Sequence, residues 1–503
     1  MKNIILIMIT GLVFLFCSSI SFTFQPGIVL ASNVQGGQDS DLSDFKKQLE
    51  LMEETIKKQQ EMINALKDKI ETKEKVAEIS NPTNMEENEI EQVIDNYLMK
   101  KETKKKMVKA GLTPEYFSWK NGLRFETGDG KFKFKLGGRI MNDWGWFSED
   151  NDVKRAIGDQ VDGTEFRRAR IYMSGDIYEN IGFKAQYDFA GGDVDFKDVF
   201  IELKKIPYVG HFRVGHFKEP FSLEELTSSK YITFMERSLN NAFSPSRNTG
   251  FMLYNHALDK RMTWAGGIFR NSDSFGESEG DSSTEGNYGF SGRITGLPWY
   301  KDEGRKLIHT GFSYTYQNAF ENTFRFRSRP EMHMADYFVD TGSFTADFAN
   351  LFNPELAIVY GAFSFQGEYS FVDVDLKRSM DSDPDFSGFY GYFSYFLTGE
   401  NRKYKKENGV FSRVKPNKNF RWGRGKGKGA IELAARYSEL DLSDEEIDGG
   451  RLQDLTLGVN WYLNPNTRVM LNYVRANVDR LVNDIRLDDA NADLLSMRFQ
   501  VDF

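Results

Sequence analysis

Residues 494–503 read LLSMRFQVDF. Leu495, Met497, Phe499, Val501 and Phe503 are apolar, and Ser496, Arg498, Gln500 and Asp502 between them are polar. A period of two sends successive side chains to opposite faces of a strand. Two folds fit such a stretch. In a soluble sheet the apolar face meets a core. In a transmembrane β-barrel it meets lipid, and the polar face meets a wet lumen.

The rest of the chain selects the barrel. The same alternation recurs in KFKFKLGGRI, FRRARIYMSGDIY, DFKDVFIELKK, HTGFSYTYQ, FSGFYGYFSYFLTG, AIELAARYSELDL and TRVMLNYVRANV. Some of these runs are joined by very short turns, such as 180–182 and 464–466. Others are joined by long polar stretches, such as 271–287 and 402–428. Tight turns alternating with long loops are the signature of a membrane barrel. About 380 residues at roughly 24 per strand and connection predict about sixteen antiparallel strands over 124–503, enough for an aqueous channel. A soluble sandwich of that length would split into domains, and no linker divides it.

Composition agrees. Aromatic residues make up 14%, with 43 Phe and 22 Tyr against 12 Pro, which suits many strands with an aromatic exterior. A mean hydropathy of −0.52 excludes a helical membrane protein, and no apolar run after the N-terminus is long enough to span as a helix. A net charge of −9 argues against a nucleic-acid partner, but local charge in a lumen matters more than the total.

The first part of the chain differs. Residues 1–31 combine Lys2, an apolar run from Ile4 to Phe16 and Val29-Leu30-Ala31, which reads as a secretory signal cleaved near Ala31. Cys17, the one cysteine, falls in this leader. Phe16 is too large for the small residue that a lipoprotein site needs, and the exported chain has no thiol chemistry. Every arginine lies at or after Arg124. In 39–79, Leu42, Leu49, Ile56, Ile63, Ile70 and Ala77 recur every seven residues, with Phe45, Met52, Gln59, Leu66 and Lys73 three residues after each of the first five. This seam predicts an N-terminal α-helical coiled coil. Residues 80–123 read as a helical linker with a lysine-rich end, solvated or in contact with an acidic cell-wall polymer. The expected location is the outer membrane with the coiled coil in the periplasm.

Three clusters carry candidate chemistry. In 166–170, Arg168 and Arg170 share a strand face, with Arg167 on the other face or at a strand end. In TFRFRSRPE, Arg325, Arg327 and Arg329 alternate with Phe324, Phe326 and Ser328, which on a strand spaces the guanidiniums about 6.6 Å apart along one face. Charge facing hydrocarbon would cost ~2–4 kcal/mol at mid-membrane, so these side chains must face water. A file of arginines suits an anion path, because each presents a fixed cation with forked donors. A solvated strand end paired with Glu331 and nearby acids is the alternative. The third cluster is the connection HFKEPFSLEELTSSKYITFMERS. It is too rich in Ser, Thr and Glu to face lipid, and it is expected to fold into the lumen. Ser228, Ser229 and Lys230 there offer hydroxyl, N–H and ammonium donors. The five histidines show no metal spacing and no nucleophile–base constellation appears, so neither enzyme, metal nor cofactor is expected. Gly/Lys repetition in 424–430 reads as a basic loop.

Together FRRARIYMSGDIY, DFKDVFIEL, VGHFKEPFSLEELTSSKYITFMER, TFRFRSRPE, YFLTGENRKYKK, GAIELAARYSELDL, LGVNWYLNPNTRVMLNY and RFQVDF resemble the phosphate-selective porin O and P family across about 124–503. The resemblance implies a sixteen-stranded outer-membrane barrel in contact with lipid, usually a homotrimer, that passes small anionic solutes. It implies pore arginines at Arg167 and Arg168, loop serines at Ser228 and Ser229, a nearby acid at Asp198 and a ladder at Arg325, Arg327 and Arg329. Glu225 departs from it, standing where phosphate-selective members carry a lysine. A carboxylate there repels phosphate unless Lys230 or Lys218 compensates. The expected function is therefore passive diffusion of small hydrophilic solutes, anions such as phosphate among them. A general porin, or an envelope tether using the coiled coil, are the alternatives.

Overall fold

The alternation at 494–503 is realised with its apolar face outward. Leu495, Phe499 and Val501 are 40%, 46% and 39% exposed, whereas Leu494, Ser496, Arg498, Gln500 and Asp502 are all buried. A computed structural model describes residues 116–119, 121–277, 288–319, 322–376, 383–423 and 427–503. Sixteen strands close into an antiparallel barrel. They are β1 (Phe132–Glu149), β2 (Gly163–Ile177), β3 (Ile181–Asp188) and β4 (Asp195–Ile206), then β5 (Gly210–Lys218), β6 (Arg247–Ala257), β7 (Met262–Arg270) and β8 (Gly289–Lys301). The second half holds β9 (Lys306–Asn318), β10 (Phe348–Tyr360), β11 (Phe363–Asp375) and β12 (Asp385–Phe396), then β13 (Ala430–Asp444), β14 (Ile447–Asn464), β15 (Thr467–Val482) and β16 (Ile485–Asp502). Each strand pairs with its sequence neighbour, and β16 pairs with β1, Met497 opposite Trp144. Closure leaves no long edge open to other chains.

The fold expectation needs one correction. The barrel stands as expected, but no coiled coil is present among the described residues, and no described helix is long and apolar enough to cross a membrane. The expected coiled coil (39–79), the leader and most of the linker lie outside the described residues. Among the described residues the fold class is thus a sixteen-stranded barrel, and the location reduces to the outer membrane, with no periplasmic coiled coil among those residues. Within the span expected to be helical linker, Tyr116–Trp119 is a strand. It forms a hairpin with Leu123–Glu126, which continues along the edge of β1 where β16 ends.

At one end the connections are tight: 178–180, 207–209, 258–261, 302–305, 361–362 and 465–466. At the other end most are long, including 219–246, 271–288 and 319–347. A two-residue turn there, Asn483-Asp484, takes positive φ at both positions (50° and 65°), the hairpin geometry that such residues tolerate. One long connection breaks the pattern. Residues 397–429, whose middle is the polar stretch 402–428, sit at the tight-turn end. Exposed Tyr178, Tyr208 and Tyr360, with half-buried Trp299, ring the same end, as an interfacial aromatic girdle does. The apolar core lies between the inner wall and the connections folded onto it. Phe243, Phe326, Phe338, Leu442, Leu452 and Val478 meet there.

Candidate functional site

The connection 219–246 enters the lumen and lies along the wall built by β11 and β13–β16. Four of its carbonyls are held in turn. Gln500 donates to Lys230 O (3.3 Å), Arg468 to Ile232 O (2.8 Å), Asn460 to Thr233 O (2.7 Å), and Arg498 to Met235 O. At its start, Leu223 N–H and Glu224 N–H donate to the Glu368 carboxylate (2.9 and 2.8 Å). Ser222 caps the short helix Leu223–Leu226 by accepting from Glu225 N–H, as Ser does at helix starts. Phe234 is fully buried, edge-on to Tyr392 and 4.3 Å from the Arg436 guanidinium. Gly458 makes room beneath it: a Cβ there would sit 3.1 Å from the Phe234 ring. Arg436 donates to Glu331 (3.0 Å) and Glu224 (3.4 Å), tying the two long connections to the wall.

A second group in the lumen, drawn from β3–β6, the connection itself and β16, is cationic, and its carboxylates are shared. Asp198 accepts from both Lys184 and Arg247. Glu225 bridges Lys218 (2.8 Å) and Arg237 (3.1 Å). Asp502 takes Lys230 (3.4 Å) and Arg413 (3.0 Å). Each carboxylate thus fixes two cations and leaves one positive charge over. Arg139 donates to Ser229 Oγ (2.6 Å) and makes no ion pair among the described residues. Burial opposes ionisation of Glu225, but Arg237 and Lys218 outweigh it and hold the carboxyl down to about 2. Burial, with Arg139 nearby, pushes the Lys230 ammonium down to about 7.

The sequence-predicted residues separate into two places. Arg167, Arg168, Arg170, Asp198, Glu225, Ser228, Ser229 and Lys230 gather within the lumen; Arg325, Arg327 and Arg329 do not join them. Arg167 is not on the outer face. A bulge opposite Met141/Asn142 leaves it unpaired in register and breaks the alternation, so that both Arg167 (2.9 and 3.0 Å) and Arg168 (3.7 Å) reach Glu236. Arg170 pairs with Asp188 (2.6 Å). The second file lies in the connection 319–347 rather than in a barrel strand. Phe324 and Phe326 stack inward at 5.9 Å, and the arginines turn the other way. Arg325 pairs with Asp340 (2.8 Å), while Arg327 and Arg329 lie over Tyr337. Glu331 pairs with Arg436 instead. Sequence reasoning missed Arg139, Lys184, Arg237 and Arg247. The signal for them was strand parity: Lys184 and Arg139 fall on inward positions.

The connection 397–429 narrows the lumen from the tight-turn end. Its hairpin, Lys403–Lys405 with Val410–Ser412, is anchored by Tyr404 to His309 (2.7 Å), by Arg402 to Gln366 (2.9 Å) and by Arg293 to Gly409 O (2.9 Å). Between the two inward segments lies a cavity of about 340 Å³, lined by Asp198, Lys218, Ser228, Tyr231, Arg293 and Phe411 among others. Among the described residues no cluster of His, Cys, Asp and Glu is arranged to hold a metal.

Residues 134–503 match the family described as phosphate-selective porin O and P. The chain belongs to this family. It is an outer-membrane porin, a passive-diffusion protein rather than an enzyme. Porin O of Pseudomonas aeruginosa is 27% identical over 417 residues, 76% of this chain and 91% of that one. An uncharacterized protein of Caulobacter vibrioides is 29% identical over 379 residues, 73% of this chain and 72% of that one. Among solved structures, an anion-selective porin from Comamonas acidovorans is similar at 12% identity and a TM-score of 0.46, covering 74% of this chain and 100% of that one. OmpT of Vibrio cholerae is similar at 10% identity and a TM-score of 0.45, covering 74% and 98%.

Proposed function

We propose that this porin passes small oxyanions of the phosphate class, as a homotrimer, with the constriction at the cationic group in the lumen. The observation that carries this reading is the two-to-one sharing of Asp198, Glu225 and Asp502 by lysine and arginine, with Arg139 beside Ser229. An oxyanion entering there exchanges water for ammonium, guanidinium and hydroxyl donors already held in place, which offsets its desolvation. Arg325, Arg327 and Arg329 at the long-connection mouth supply the approach, and Arg167 and Arg168 the inner step. Glu225 supports the reading instead of opposing it, because its charge is spent on Lys218 and Arg237.

The test is single-channel recording of the purified protein in planar bilayers. A KCl gradient should give an anion-biased reversal potential, and millimolar phosphate should block the chloride current. A cation-biased or phosphate-indifferent current would leave a general porin. Native mass measurement should give three copies.

A further inference from the structure

The connection 397–429 has a second half that plays no part in the lumen. Beyond Val414 the chain turns outward and doubles back at the tight-turn end. Phe420 N–H donates to Leu463 O (2.7 Å), Arg421 N–H to Gly427 O (3.0 Å) and Gly429 N–H to Lys418 O (3.2 Å). The Phe420 ring meets Trp461 and Trp422 edge-on, each at 5.0 Å between centroids. Trp461 belongs to the lipid-facing series of β14, after the exposed Leu455, Leu457 and Val459, and its indole N–H donates to Lys428 O (2.8 Å). The three rings therefore run from the barrel's outer wall to Trp422, which is 84% exposed.

Around this aromatic file the charge is of one sign. Lys415, Lys418, Arg421 and Lys428 are exposed, and none makes an ion pair among the described residues. No Asp or Glu occurs from Val414 to Ile431. This differs from the lumen, where most of the cations named above are held by a carboxylate. We propose that this basic, tryptophan-tipped finger is a docking site for the headgroups of anionic phospholipids in the leaflet at the tight-turn end. An indole is most stable where apolar chains give way to headgroups. Unpaired lysine and arginine at that depth attract lipid phosphates within a Debye length. A free oxyanion would use the cations but not the exposed indole. A cell-wall polymer would not account for a ring file continuous with the lipid-facing wall.

The experiment is native mass spectrometry of the full-length protein in detergent, titrated with phosphatidylglycerol or with phosphatidylethanolamine. The parent should retain phosphatidylglycerol preferentially. The variant K418A/R421A/K428A should lose about tenfold in that retention, and W422A should lose about threefold. Both should keep the parent's single-channel conductance, which shows that the barrel is intact. Should the triple variant fail to fold, K418Q alone should show a smaller loss of the same sign. Equal retention by parent and variants overturns the proposal. So does equal loss of both lipids, competition by millimolar inorganic phosphate, or capture of peptidoglycan fragments in place of phosphatidylglycerol.

Discussion

Two charged groups in the lumen use the same residue types in opposite proportion. Where the connection 219–246 meets β13, carboxylates crowd the arginine: Glu224 and Glu331 both reach Arg436. Glu368 is satisfied by backbone N–H groups of the loop itself. In the second group, cations outnumber carboxylates at Asp198, Glu225 and Asp502. Both groups are largely buried; what differs is the ratio of carboxylate to cation. That local ratio therefore matters more than the chain's net charge of −9.

The comparison can be broken most severely at Arg436. Arg436→Ala strands Glu224 and Glu331 without their cation, a loss of about 3–5 kcal/mol for a buried pair. The loop should come away from its wall. The expected result is a lower unfolding temperature with larger and noisier single-channel conductance. An unchanged conductance would mean that the carbonyl rungs hold the loop unaided.

In the cation-rich group, K184A/R247A leaves Asp198 as a bare carboxylate. Phosphate block should weaken about tenfold, and the reversal potential should move toward cations. Asp198→Asn frees both cations and should move the potential the other way. Equal effects from these two changes would refute a sharing role for Asp198. Glu225→Lys tests the reading that a lysine at this position confers selectivity. Here it would join Lys218 and Arg237 with no acid between them, so thermal stability should fall by about 1–3 kcal/mol without tighter phosphate block. A tighter block would restore the simple repulsion argument.

The smallest effect expected is on pH. Lys230, pushed down to about 7, is charged below that pH and neutral above it. Anion preference should therefore fall about twofold from pH 6 to 8.5, and Lys230→Arg should flatten the profile. A flat profile in the parent would place Lys230 outside the path.

What was legible in the sequence follows from range. The period of two at 494–503 is local, and both faces came out as read. The inward fold of 219–246 was readable from its polarity, but its seat was not. Gln500, Arg468, Asn460 and Arg498 lie more than 200 residues further along the chain, and nothing in the loop names them. Arg167 was read as lying on the other face or at a strand end, because a bulge leaves no mark in a string of residues. The Phe324/Phe326 alternation with arginine was real, yet it occurs in a connection, where short paired segments imitate a barrel strand. Glu225 looked repulsive because Arg237, one of the two cations that neutralise it, returns to it only once the loop is folded. The stretch 402–428 was recognised as a loop. Its place at the tight-turn end emerges only when every strand before it is counted.

The seam between β1 and β16 bears on how the molecule is made. Arg498 grips Asp143 through two bonds of 2.7 and 2.6 Å, 355 residues apart in the chain, and Gly138 exchanges backbone bonds with Phe503 at the strand end. These contacts join the first barrel strand to the last, so they form only when both ends of the barrel are present, at the loop-closure cost that such separation carries. A chain still short of β16 has nothing to pair with most of the β1 edge beyond the Leu123–Glu126 hairpin strand, and a buried ion pair marks the point at which that edge is covered.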